Sequence, residues 1–367
     1  MHPGSDANFG ELAIKLGFTT LQRVDEVLAL QEKKRARGGE PLKIGELMVR
    51  LGYLTEEQVR KVLLHVGAHR GHQEIPGYRL ISRIGQGSTG SVYKALQISM
   101  DRTVAIKVLG SRHGSSPARR EQFLKQARAV ARLNHQNLIQ GIEVGVSNGL
   151  YFSVMEFVDG PSVAELLRRG GPIDESRALT FAIQAAKALA HAYRNGVLHG
   201  DLQPKDLLVS REGAVKLGGL GMLNLAPAGT ASPYYKAPEM LRGEKDLDTR
   251  ADVYSLGAIL FHMVAGDVPY PGATPTQVAK SHLEDAVPSP RQKNPAISAK
   301  TDWVILKMMF KTRERRHPTP LEVQKDLEEI VSGSIPKGFA GDGRAKPAAP
   351  GPNTRLRRMT RGRGFQH

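Results

Sequence analysis

The chain has 367 residues, of which 40% are apolar and 24% charged, enough for two or three domains with ordinary buried cores. It contains no Cys, which excludes disulfides and thiolate metal ligands and fits a reducing compartment. The formal charge of +16 points to nucleic acid, an anionic membrane face or acidic protein as partner, but it is unevenly spread: Pro336–His367 alone holds eight Lys or Arg against one Asp.

No apolar run approaches the roughly 20 residues that span a bilayer, and Met1–Gly10 lacks the basic start and apolar stretch of a secretory signal. The expectation is a cytoplasmic protein. An internal repeat then opens the chain. Phe9-Gly-Glu-Leu-Ala-Ile-Lys-Leu-Gly17 matches Ile44-Gly-Glu-Leu-Met-Val-Arg-Leu-Gly52, displaced by 35 residues. Each copy runs into an amphipathic stretch. Val24, Val27, Leu28 and Gln31 correspond to Val59, Val62, Leu63 and Val66, one face of a helix. Thr55-Glu-Glu-Gln58 forms a capping box for the second long helix. Two units of short helix, Gly turn and long helix predict a small all-α domain over residues 1–69, with 70–77 as linker.

This repeat resembles the amino-terminal domain of type II secretion and pilus ATPases. Some members of that family bind cyclic di-GMP through Gly and apolar backbone contacts, so the resemblance implies that ligand as a candidate. The chain departs from the pattern at Asn8-Phe9, where the family begins with Arg-Leu, and at Val66, where the family closes on Gln. The alternative reading is a docking bundle for a protein partner.

A strand-rich stretch follows from Tyr78 and gives way to helical patterns near Gly160. Ile84-Gly85-Gln-Gly87-Ser-Thr-Gly90-Ser-Val92 lies between two segments of strand character, and its glycines let backbone amides approach a phosphate. Because Ser91-Val-Tyr-Lys-Ala95 reads as a strand rather than a helix, the loop is predicted to be a hairpin cover, not a dinucleotide-binding turn. Val104-Ala-Ile-Lys107 then places an ammonium where nucleotide phosphates would lie. His199-Gly-Asp201, Gly219-Leu-Gly221, Ala237-Pro-Glu239, Asp252-Val-Tyr-Ser-Leu-Gly257 and Arg316 complete an ordered series.

The series resembles the serine/threonine protein-kinase family, especially its bacterial members. It implies an α+β, bilobal fold over residues 78–332, with a β-rich N-lobe and a helical C-lobe. By that resemblance Gly85, Gly87, Gly90 and Lys107 face the phosphates. Met155 is the gatekeeper, Glu156 and Val158 offer backbone groups to adenine, and Val92, Ala105 and Leu208 sandwich the base. ATP is the implied nucleotide, and magnesium or manganese the implied metal. Asp201 holds the position of the residue that accepts or orients the substrate hydroxyl. Glu239 and Arg316 are expected to pair, Asp252 to anchor the catalytic-loop backbone, and Leu220 to join an internal apolar spine with Val130 and His199.

Five positions depart from the family's pattern. Gln126 stands where a helical Glu pairs with the lysine, Gly200 replaces Arg, Gln203 replaces Lys, Asp206 replaces a metal-binding Asn, and Gly219 replaces the principal metal-binding Asp. Loss of the charges at 126, 203 and 219 weakens the stabilisation that phosphoryl transfer depends on. Asp206 remains as a hard oxygen ligand. Ser232 is expected to hold Asp201 through its hydroxyl.

The expected function is a nucleotide-binding pseudokinase, acting as a signalling switch or scaffold on a protein partner met by the repeats or the C-lobe. A weakly active serine/threonine kinase and a cyclic-dinucleotide sensor are the alternatives. Residues 333–367 are expected to form a disordered basic tail, with nucleic acid or an acidic surface as candidate partner.

Overall fold

A computed structural model describes residues 9–36 except 11 and 15, then 43–69, 75–87, 90–109, 117–147, 149–220 and 232–339. The basic tail beyond residue 339, most of the expected linker and the segment 221–231 lie outside the described residues. The chain divides into two compact units. One comprises residues 1–83, 93–103 and 146–150, and the other 84–92, 104–145 and 151–367.

In the first unit, α1 (Leu21–Ala36), α2 (Ile44–Arg50) and α3 (Glu56–His69) follow a short helical segment around Phe9 and Leu12. The 35-residue repeat is reproduced bond by bond. Gly17 donates to Ile14 and Phe18 to Ala13, and Gly52 donates to Val49 and Tyr53 to Met48. This pattern is the helix-ending Schellman motif, and it requires the left-handed backbone at Gly17 and Gly52, with φ of 71° and 69°. Phe9, Leu12, Ala13, Val24, Val27, Ile44, Met48, Leu54 and Val62 form a buried core. A Cβ on Gly10 would stand 2.5 Å from Val24, and one on Gly45 would stand 3.1 Å from Val59, the equivalent valine. Close helix packing therefore accounts for these two glycines without a ligand. The predicted capping box is present: Thr55 N–H donates to Gln58 Oε1 at 2.8 Å and Gln58 N–H to Thr55 Oγ1 at 3.2 Å.

A five-stranded sheet has the order β1-β2-β3-β5-β4, from β1 (Tyr78–Gly87), β2 (Gly90–Gln97), β3 (Arg102–Leu109), β4 (Gly141–Ser147) and β5 (Leu150–Glu156). The glycine-rich segment does join two strands, as its pattern predicts. β3 pairs antiparallel with β5, setting Ala105 opposite Met155 and Lys107 opposite Ser153. Between them in sequence lies α4 (Pro117–Ala131), which carries Gln126.

The helical part of the second unit holds the largest core. α5 (Val163–Gly170) starts with a complete capping box from Ser162 and Glu165. α6 (Glu175–Arg194) buries a row of alanines with Leu179, Phe181 and Leu189. The short strands β6 (Leu207–Val209) and β7 (Val215–Leu217) form a separate antiparallel pair. Then come α7 (Pro238–Leu241), α8 (Thr249–Ala265), α9 (Pro275–Glu284), α10 (Ala299–Met308) and α11 (Pro320–Val331). α8 is buried on nearly every face, as an all-round apolar helix must be. Leu220 is buried in this core, and Val130 packs against the same core. Among the described residues, no helix is long and apolar enough to cross a membrane.

Candidate active site

The site is built on the loop that enters β6. Its backbone is fixed from α8: Asp252 accepts from His199 N–H at 2.9 Å and from Gly200 N–H at 2.8 Å. Asp252 is buried, and that burial raises its carboxyl to about 6 against the two backbone donors that pull it down. Burial likewise lowers His199 to about 4, so its ring is neutral near pH 7. Its Nε2 lies 2.9 Å from Gly218 O, an acceptor, which assigns the ring proton to Nε2. His199 thereby ties the Asp201 loop to the strand exit that carries Gly219.

Asp201 is partly exposed, and burial raises its carboxyl while Lys236 and Lys205 oppose the rise. Its Oδ2 accepts from Gln203 Nε2 at 3.0 Å, and its Oδ1 lies 4.0 Å from Lys236 Nζ. Ser232 does not hold Asp201, in contrast to the sequence expectation. Gln203 and Lys236 fill that role, because the turn Pro233–Tyr235 brings the lysine behind it to the carboxylate.

Asp206 ends a short 3-10 turn that begins at Pro204. Gln203 N–H donates to its Oδ2 at 2.9 Å, while its own N–H returns to Gln203 O at the same distance. Burial raises its carboxyl to about 7, against the attraction of Lys205. Gly219 has a left-handed backbone, φ 75°, and a Cβ there would stand 2.9 Å from Asp206 Oδ1. The Asp206 carboxylate thus occupies the space that a side chain at 219 would need. A divalent cation held between two carboxylates does not fit this donor set, since one position has no side chain and the other carboxylate fills the gap. Among the described residues no cluster of three or more His, Asp or Glu converges as a metal site.

Lys107 is drawn down to about 8, first by burial, while Asp206 pulls it up and Lys205 pushes it down. Gln126 does not supply its side-chain oxygen: Oε1 is buried and has no hydrogen-bond partner. Asp206 is an acid whose charge holds the lysine up against burial.

Around the base site, Ala105 and Met155 are cross-strand neighbours, and Val158 is buried. Leu208 bridges to Ser162, and Val92 lies where a Cβ on Gly85 would touch it at 3.7 Å. Glu156 has a second use. Its carboxylate pairs with Lys216 at 2.9 Å and accepts from Gln140 N–H, fixing β5 to β7. In the C-lobe the expected Glu239–Arg316 pair is present as two parallel bonds of 2.6 and 2.8 Å, both side chains buried. Sequence reading missed Lys205, Lys236 and Lys216. The first two are signalled only by being lysines beside Asp206 and beside Ala237-Pro-Glu239.

Comparison with known proteins identifies the family. The family model described as a protein kinase domain matches residues 78–327. The chain is 33% identical over 276 residues to the serine/threonine-protein kinase PknB of Mycobacterium leprae, covering 71% of this chain and 44% of that one. It is 30% identical over 260 residues to PrkC of Bacillus subtilis, covering 68% and 40%. The match thus spans less than half the length of these relatives. The crystal structure of the Mycobacterium tuberculosis PknI kinase domain shares the fold, with a TM-score of 0.56 and 24% identity, over 69% of this chain and 96% of that one. The chain belongs to the protein kinase family.

Proposed function

We propose that the kinase domain binds ATP or a close relative and acts as a pseudokinase, a nucleotide-dependent switch or scaffold rather than an efficient phosphotransferase. Protein kinases in general use ATP with a divalent metal. In this chain the nucleotide would lie under Gly85, Gly87 and Gly90, with its base against Val92, Ala105, Met155 and Leu208. Its backbone partners would be Glu156 and Val158. The observation that carries the reading is at 219: no carboxylate is present, and Asp206 fills the vacated space. Phosphoryl transfer depends on charge neutralisation around the transferring group, and this site has lost the residues that supply most of it. Lys107 remains, and a buried ammonium with a depressed pKa gains from an anionic phosphate. The repeats over residues 1–69 would select the protein partner.

A second reading, a weakly active serine/threonine kinase, is favoured by Asp201, whose carboxylate is held in place by Gln203 and Lys236. In that reaction a protein hydroxyl oxygen would bond to the γ-phosphorus and ADP would leave. The hydroxyl proton would pass to Asp201. Purified chain with labelled ATP and magnesium or manganese separates the two readings. The expected result is no transfer above that of Asp201→Asn. Turnover that disappears in Asp201→Asn would establish the kinase. ATP should raise the melting temperature with or without metal, as any ligand of the native state does.

A further inference from the structure

Two carboxylates stand where the loop of Asp201 meets the strand exit of Gly219, and the ammonium groups around them already answer them. Lys236 Nζ lies 4.0 Å from Asp201 Oδ1, and Lys236 and Lys205 both oppose the rise that burial imposes on this acid. Lys205 and Lys107 do the same for Asp206. The residues that replace charged ones add nothing positive. Gln203 is buried and spends its amide on Asp201 Oδ2 at 3.0 Å. Gln126 is an uncharged amide whose buried oxygen has no partner. Gly219 has no side chain, and the Asp206 carboxylate reaches to 2.9 Å from where a Cβ would stand. Among the described residues, this end of the site therefore presents two acids whose lysines are engaged, while Lys107 on β3 stands ready for the phosphates nearest the sugar.

We infer that the nucleotide site selects ADP over ATP, with or without a divalent cation. A diphosphate meets Lys107 and the backbone amides at Gly85 and Gly90, and stops short of Asp201 and Asp206. A third phosphate adds negative charge beside those carboxylates with no further cation to offset it. Like charge set against a ligand that otherwise fits is how a site rejects it. A divalent cation does not change the order: position 219 offers no carboxylate to hold it, and ATP keeps one more phosphate's charge than ADP whether or not the ion is bound. The inference rests on the nucleotide-binding reading and names its ligand. The proposed switch would report the diphosphate that ATP-consuming reactions release.

The test is calorimetric titration of the full chain with ADP and with ATP, in EDTA and again in magnesium. ADP should bind at least threefold more tightly than ATP in both buffers. A smaller gap in either buffer, or ATP the tighter of the two, overturns the inference and leaves the nucleotide-binding reading standing. If neither nucleotide binds, that reading falls and the inference falls with it. Gln203→Lys sets an ammonium beside Asp201 and should bring ATP level with ADP or past it. An unchanged preference in that variant would show that the third phosphate does not meet this end of the site, which also overturns the inference. Should Gln203→Lys fail to fold, Asp206→Asn decides: removing one carboxylate should at least halve the preference for ADP, and an unchanged ratio sinks the idea.

Discussion

The C-lobe scaffold and the phosphate-facing site are built from the same kinds of polar residue, yet the Glu239–Arg316 pair is fully hydrogen-bonded while Gln126 buries an oxygen without a partner. Arg316 is buried but donates to both oxygens of Glu239 and to the carbonyls of Phe310, Arg250 and Lys311. Asp252 is buried but accepts from two backbone amides. In the site, Asp206 and Lys107 are both pushed by burial towards neutrality, and Gln126 buries an oxygen that nothing meets. Burying a polar atom without a partner costs stability, so the Gln126 oxygen is a burden that the Glu239–Arg316 pair does not carry. An anionic ligand against Lys107 would offset the burial that lowers its pKa.

The comparison breaks first if the scaffold proves dispensable. Glu239→Ala leaves the Arg316 guanidinium buried with its best partner gone, which should cost about 3–5 kcal/mol in urea denaturation. A loss below about 1 kcal/mol would mean that the carbonyls alone satisfy the arginine.

A smaller effect follows from pH. His282 is fully buried, with the Tyr254 hydroxyl 2.8 Å from Nδ1 and Tyr234 O 3.0 Å from Nε2. Burial, with Lys311 nearby, lowers it to about 4. Between about pH 6.5 and 4 the unfolded chain takes up a proton that the folded chain refuses, so this contribution to stability is lost as pH falls. Its size is on the order of 2 kcal/mol between pH 7 and 4.5. His199, lowered in the same way, acts in the same direction. Asp206 and Asp252 act oppositely, because their raised values make the folded chain bind protons first. The difference between the native chain and His282→Gln across that range isolates the histidine, and parallel pH profiles would show that its ring is not buried neutral.

Much of this contrast was legible in sequence, for a physical reason. Glu239, Asp252 and Arg316 occupy fixed places in an ordered set of motifs, and the packing that joins them is the fold itself. The hairpin character of Gly85–Val92 and the Schellman turns at Gly17 and Gly52 follow from local backbone chemistry. What a deletion leaves behind did not follow. Spacing locates Gly219 but cannot say that the Asp206 carboxylate moves into its space, or that Gln203 and Lys236 rather than Ser232 hold Asp201. Those outcomes depend on how two loops settle against each other, and a residue's place along the chain does not encode it. The role of Glu156 was half visible for the same reason, its backbone implied by the hinge pattern and its carboxylate committed to Lys216 by tertiary contact.

The smallest effect is the most discriminating, because it has the opposite sign. Gln126 lies on α4 with Oε1 buried and unpartnered, so replacing the amide by an apolar side chain of similar shape removes a desolvation cost and no hydrogen bond of that oxygen. Gln126→Met should therefore stabilise the nucleotide-free chain by about 1 kcal/mol, against the usual run of buried substitutions, which destabilise. Functional positions commonly keep such a deficit, and it yields to substitution without harm to the fold. If ATP then gives the same melting shift in Gln126→Met as in the native chain, the amide takes no part in holding the nucleotide. A smaller shift would mean that Gln126 turns towards the bound phosphates or Lys107 when the nucleotide binds.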